Sequence, residues 1–381
     1  MLVWDEILKL FITSFESYVL LILTAVTCAL IGAFLVLRKL SMIADAISHS
    51  VLLGIVLGFF LAGNLDSPLL IIGAATFGIL TVWATEGLTQ TGLVENDDAV
   101  GIVYPFFFAL AVILITRFAS NVHLDMDVVL TGEVLFAPFA RIELFGWDLP
   151  RAVVEMVVLF GVNLLFITLC FKELKVTTFD RDFGYMAGYN MTVLFYLLMT
   201  LVSITTVVSF DAVGAILVVA FLVGPGATAY LTSKTLSGML TLSACYAFWN
   251  ATLGYIIGIV LNVSIGGMAS VITGLTFILV FLFHRQGLIT SLIIQRRRKH
   301  QLKQDLILLH IQSHTQQNQE QEELAVDTLS EHFKWNQNII NTTLKELFKA
   351  DLIYVDADRK IYQLTSLGQA RLDYIREYYE I

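Results

Sequence analysis

The sequence predicts an all-α polytopic membrane protein of eight or nine transmembrane helices followed by a small α+β domain. Three observations carry this. The 381 residues are 57% apolar and only 14% charged, where soluble globular domains carry about 25% charged residues. Apolar stretches long enough to cross the hydrocarbon layer, roughly 20 residues each, recur as far as residue 284. Charge density then changes. Residues 1–300 hold 15 Lys and Arg and 19 Asp and Glu, whereas residues 301–381 hold 8 and 13. The expected organisation is a transmembrane domain over 1–290, a basic junction over 291–302 and a C-terminal domain over 303–381. A secreted enzyme, a disulfide scaffold and a basic nucleic-acid binder are excluded. Cys28, Cys170 and Cys245 fit no CxxC spacing and read as packing residues.

The elements follow in order. Asp5 and Glu6 stand where a signal peptide would carry positive charge, so no cleaved signal is expected. Spans are predicted near 17–37, 42–62, 67–86, 98–116, 150–171, 191–209, 213–231, 237–262 and 267–284. The irregular stretch 128–147, with Gly132, Glu133, Pro138 and Arg141, reads as an interfacial or re-entrant loop. If Arg38 and Lys39 face the cytoplasm, so do Lys172, Lys175, Arg181, Lys234, Arg285 and the Arg296–Lys299 run, 11 basic groups against four (Lys9, Arg117, Arg141, Arg151) on the other side. The positive-inside rule therefore puts the C-terminal domain in the cytoplasm. The N-terminus lies outside with nine spans and inside with eight.

Polar groups within spans need a reason, because a charge in lipid costs several kcal/mol. Asp45 and His49 in the second span are i and i+4, on one helix face, with Ser41 and Ser48 near the same stripe. His49 falls about 15 Å beyond Lys39, half the hydrocarbon thickness. A carboxylate and an imidazole at that depth suit a divalent-cation site or a proton relay; the plainer alternative is a hydrogen-bonded pair that fixes the helix. One Asp and one His do not complete a cation's shell, so a symmetric dimer contributing two of each is expected. Glu155 is expected to pair with Arg151, Asp97 and Asp98 to sit at a helix N-terminus, and Asp211 to cap the next helix from a turn. His123, Asp125 and Asp127 read as an ordinary polar loop. Gly224-Pro225-Gly226 should kink or break its span, as in helices that line transport pathways, the alternative being a kink at a packing contact. No GxxxxGK[ST] occurs, so any use of ATP belongs to a partner.

These residues also carry a resemblance. Leu37-Arg-Lys-Leu-Ser-Met-Ile-Ala-Asp45-Ala-Ile-Ser-His49-Ser-Val-Leu-Leu-Gly54 resembles the second-helix signature of metal-ion ABC transporter permeases of the zinc/manganese/iron class. Asp97–Tyr104, Phe179–Asp182 with Ala187-Gly188, and Val213–Ala215 with Gly224-Pro225 are similar to the same family, over about residues 10–285. The resemblance implies the membrane subunit of an importer. It implies two permeases forming the pore, two separate ATP-binding subunits on the cytoplasmic side and an extracellular metal-binding lipoprotein, in a bacterial cell membrane. It places metal coordination on Asp45 and His49. It places ATPase coupling on the amphipathic segment Phe179, Asp180, Arg181, Asp182, Phe183, Tyr185, Met186 and Gly188. No covalently bound cofactor is implied; Mn²⁺, or Zn²⁺ or Fe²⁺, is the transported substrate. Manganese is favoured because the ligands mix a hard carboxylate with imidazole and no thiolate pair is present.

Ordinary members of that family stop soon after the last span, and this chain continues. Gln295-Arg-Arg-Arg-Lys299 suits anionic headgroups. A helix over 303–313, a Gln-rich linker, a helix with Leu329 and Phe333, an amphipathic helix with Ile339, Leu344 and Leu347, a hairpin over 353–364 and a final helix follow. This order resembles a winged helix of the manganese- or iron-dependent repressors. Its net charge of −5, with only Lys345 and Lys349 on the recognition helix, disfavours nucleic acid as a partner and favours a regulatory tail. His310, His314 and His332 are candidates for regulatory metal, with solvated surface histidines as the plainer alternative. A second function class is a membrane-tethered transcriptional regulator acting through 301–381.

Overall fold

The computed structural model describes residues 14–64, 67–118, 134–135, 137–144, 146–284, 287–316, 324–325, 333–357 and 359–379. It divides into two compact units, Met1–His284 and Arg285–Ile381. In the first, nine helices among the described residues are long and apolar enough to cross a membrane. These are α1 (Phe15–Leu37), α2 (Ser41–Ala62), α3 (Pro68–Gln90), α4 (Asn96–Phe118), α5 (Arg151–Leu169), α8 (Met191–Val213), α9 (Ala215–Thr232), α10 (Leu236–Leu261) and α11 (Ile265–Phe283). Two short helices, α6 (Phe171–Phe179) and α7 (Arg181–Met186), lie between α5 and α8.

Helix starts are written in the sequence. Ser67, with Pro68 behind it, accepts from Leu69 N at 3.3 Å; Asn190, Thr235 and Ser264 cap α8, α10 and α11 the same way. α1 is the buried centre, its Leu20, Leu21, Ala25, Ile31 and Phe34 wholly covered, and it packs on α9, α10, α5 and α8. A second group joins α2 to α3 and α4. Between α2 and α3 the backbones nearly touch: a Cβ on Gly54 would lie 2.2 Å from the Gly73 carbonyl oxygen. Without a hydrophobic drive between helices in lipid, such close approach and polar bonds supply the cohesion. Thr81 donates to Ser50 Oγ at 2.7 Å, Asn163 to Thr205 Oγ1 at 2.9 Å and Ser243 to the Ala29 carbonyl at 3.1 Å.

Three expectations are corrected. Asp211 lies inside α8 rather than in a turn, and the residue preceding α9 is Gly214, at φ 87°. The chain turns there because glycine alone adopts that backbone without strain. Gly224-Pro225-Gly226 does not break its span, since α9 runs continuously through all three. The small residues instead admit neighbours. A Cβ on Gly224 would meet the Thr273 methyl of α11 at 2.3 Å, and one on Gly226 would meet Ala33 of α1 at 3.2 Å. The stretch before α5 contains an antiparallel hairpin, β1 (Arg141–Leu144) with β2 (Trp147–Pro150). Arg141 holds it to the start of α1, bonding Glu16 at 3.1 Å and Asp148 at 2.7 Å. These carboxylates raise the guanidinium pKa further. His123, Asp125 and Asp127 lie outside the described residues.

The second unit contains α12 (Leu288–Gln316), α13 (Gln337–Lys349), the hairpin β3 (Ile353–Asp356) and β4 (Ile361–Leu364), and α14 (Ser366–Tyr379). The basic run Arg296–Lys299 is part of α12. Ile307, Leu308 and Ile311 of α12, Ile340, Leu344 and Leu347 of α13, Ile361 and Tyr362 of β4, and Leu372 and Ile375 of α14 form one core. Spacings of three and four put each helix's contribution on one face. The strands described here amount to this one small hairpin, and the expected helix carrying Leu329 falls outside the described residues.

Candidate functional site

The site is built on α2, and the turn before it sets where α2 starts. At the end of α1 the Lys39 amide donates to Val36 and the Leu40 amide to Leu35, with Lys39 at φ 59°. This is a Schellman ending with lysine where glycine is usual. Ser41 then opens α2. Ile43, Ala44, Ile47, Ser50 and Val51 on one side of α2 are buried, which turns Asp45 and His49 to the other.

Asp45 Oδ1 and His49 Nε2 are 3.7 Å apart, one helical turn from each other. The structure therefore brings together the two residues that the sequence placed on one face. The Asp45 side chain is 47% exposed and that of His49 36%. Tyr104 of α4 stacks on the imidazole at 5.6 Å between centroids, and Phe108 meets it edge-on at 5.7 Å. Sequence reasoning did not assign these two aromatics to the site. Their i, i+4 spacing, matching that of Asp45 and His49, was the available signal. Among the described residues no group of three or more His, Cys, Asp and Glu is placed to hold a metal ion. The pair offers one oxygen and one nitrogen, enough to begin a coordination shell and too few to complete it. Ser48 donates back to the Ala44 carbonyl at 2.8 Å.

The other candidate segment lies at the opposite end of the unit from the Arg141 hairpin, since α1 carries Glu16 at one end and Arg38 at the other. Asp180 caps α7, accepting from Phe183 N at 2.9 Å. The helix ends in a second Schellman turn, with Gly188 at φ 81° and the Tyr189 amide donating to Gly184. Phe179, Phe183, Tyr185 and Met186 are all exposed, Tyr185 and Met186 by nearly four-fifths. An apolar knob of one and a half turns, held stiffly by a cap at each end, suits insertion into a protein groove. Beside it opens a cleft of about 340 Å³ lined by Arg38, Glu86, Gln90, Asp182, Tyr185 and Tyr196 among others, which the sequence did not announce. Arg151 pairs with Glu155 at 2.7 Å, and Asp97 and Asp98 occupy the first turn of α4, both as expected.

Nine helices among the described residues, each long and apolar enough to cross a membrane, define a multi-pass membrane protein. Comparison with known proteins gives the family. Residues 12–284 match the ABC 3 transport family. Over 363 residues the chain is 39% identical to the zinc transport system membrane protein TroD of Treponema pallidum (strain Nichols), spanning 94% of this chain and 98% of that one. It is 42% identical over 282 residues to the manganese transport system membrane protein MntD of Bacillus subtilis (strain 168), spanning 73% and 95%. Among solved structures, PsaBC from Streptococcus pneumoniae in complex with Fab is similar with a TM-score of 0.59 and 30% identity, over 70% of this chain and 90% of that one. The chain belongs to the ABC 3 transport family, as a multi-pass permease of a bacterial membrane.

Proposed function

We propose that this permease imports a divalent transition metal, manganese ahead of zinc and iron, with Asp45 and His49 as its ligands in the pathway. The half-exposed Asp45–His49 pair carries the reading. A carboxylate left uncovered at membrane depth is costly, so a second permease copy covers this face and supplies a second Asp and His. Four ligands of mixed carboxylate and imidazole suit Mn²⁺. The relatives' names support metal transport and divide between zinc and manganese, so the ordering rests on ligand chemistry.

Two ATP-binding subunits dock on the knob Phe179–Gly188, and an extracellular lipoprotein delivers the ion. The 11 to four distribution of basic groups supports a cytoplasmic C-terminal unit, which acts on transport as a regulatory tail of winged-helix type. The test is Asp45→Ala and His49→Ala in the assembled complex. Both abolish ⁵⁴Mn accumulation while the ATPase subunits still co-purify; full uptake in both would remove the site assignment. The second reading, a tethered regulator, requires the tail to bind DNA specifically, and a gel-shift with the detergent-solubilised full chain decides it.

A further inference from the structure

The α1–α2 turn does more than position the proposed metal helix. Arg38, the last residue before the left-handed Lys39, reaches across to the end of α6. Its Nη2 donates to Thr177 Oγ1 at 3.0 Å and its Nε to Thr178 Oγ1 at 3.2 Å. Thr177 is buried and its hydroxyl lies 3.4 Å from the Leu174 carbonyl, so the acceptor is part of the α6 backbone frame. Two residues after Thr178, Asp180 caps α7. Seven residues after Arg38, within a helix that starts at Ser41, stands Asp45. The guanidinium thus grips the knob's stem with one hand while its own backbone leads rigidly into the metal helix. The cleft beside it is lined by Arg38, Asp182 and Tyr185 among others. The two bonds thus form a directional link between the end of α1 and the α6–α7 elbow, beside the packing of Leu174 in the core.

We infer that Arg38 is a positioning residue that couples movement of the α6–α7 elbow to the register of α2, linking ATP turnover to opening of the metal site. Its planar fork fits two hydroxyls at once, which a lysine ammonium does not reproduce with fixed geometry. The inference rests on the proposed docking of the ATPase on Phe179–Gly188.

The experiment uses the permease co-purified with its ATP-binding subunits, reconstituted in vesicles of phosphatidylethanolamine and phosphatidylglycerol, with the metal-binding lipoprotein supplied and Mn²⁺ as probe. Three quantities are read: ATPase subunits retained, basal ATP hydrolysis, and Mn²⁺ transported per ATP hydrolysed. Arg38→Ala is expected to retain the subunits and keep basal hydrolysis within about twofold, while transport per ATP falls about fivefold or more, the range of an ordinary coupling free energy. Arg38→Lys should recover only part. The double variant Thr177→Val, Thr178→Val keeps the arginine and side-chain shape, and should reproduce the uncoupling even if Arg38→Ala does not fold. Unchanged transport per ATP in the threonine double variant overturns the inference, as does loss of the ATPase subunits from it. Phe183→Ala with Tyr185→Ala separates the two readings: if those changes leave the subunits attached, the docking assignment fails, whatever Arg38 does.

Discussion

Asp45–His49 on α2 and Glu346–His300 between α13 and α12 are both histidine–carboxylate pairs, and their side chains are exposed to similar degrees, 47% and 36% against 39% and 45%. The first lies in an apolar span and the second in the charge-rich tail. In water an exposed pair is ordinary surface, its charges solvated and its net contribution small. In a membrane the same exposure leaves a carboxylate facing lipid, and something must cover it. Exposure acquires meaning only once the solvent is known. The two units also cohere differently. The tail buries one face of each helix in a leucine and isoleucine core, whereas the membrane unit brings backbones together at glycines.

The comparison can be broken in order of effect. Asp45→Ala and His49→Ala should abolish ⁵⁴Mn uptake, while Glu346→Gln and His300→Gln leave it within about twofold; an equal loss from the tail pair would erase the distinction drawn from exposure. Leu347→Ala empties a fully buried tail position and should cost about 2–5 kcal/mol, read as a lower urea midpoint of the tail in hydrogen exchange on the full chain. Transport helices should keep their protection. Gly54→Ala should cost about 1–3 kcal/mol by overpacking, seen as a lower melting temperature in detergent, because its Cβ would meet backbone at Gly73.

The smallest effect is a pH dependence. The bond from His300 holds the Glu346 carboxyl below its ordinary value, burial opposes this, and the bond from Gln304 at 2.8 Å adds to it. A depressed carboxyl contributes stability that is present above its unfolded value and lost as pH falls through the folded one. The melting difference between wild type and Glu346→Gln should therefore be visible at pH 7 and vanish under acid, and it should be under about 1 kcal/mol because the pair is exposed. A difference that grew under acid would reverse the assignment.

Much of the fold was readable in advance. Apolar length placed the spans, while the caps at Ser67, Asn190, Thr235 and Ser264 set where four of them start. At Gly224-Pro225-Gly226 the sequence left a pathway break and a packing contact both open, because a proline's missing amide is visible in sequence, whereas the Thr273 methyl and Ala33 backbone that those glycines admit are not. The Arg141 hairpin was missed because four-residue strands give too short a period to stand out beside spans.

Of the site, the i, i+4 spacing gave Asp45 and His49 a common face, since helical geometry is local. The aromatic cover from Tyr104 and Phe108, and the grip of Arg38 on Thr177 and Thr178, join residues dozens to more than a hundred positions apart. The sequence by itself determined that the chain spans a membrane and which residue pair within the spans needs an explanation. These follow from hydrophobic length and helical period. Tertiary structure alone decided which helices touch, which face of α2 stays open and which side chain ties the α1–α2 turn to the end of α6. Those depend on how backbones approach in three dimensions, and no local pattern encodes that distance.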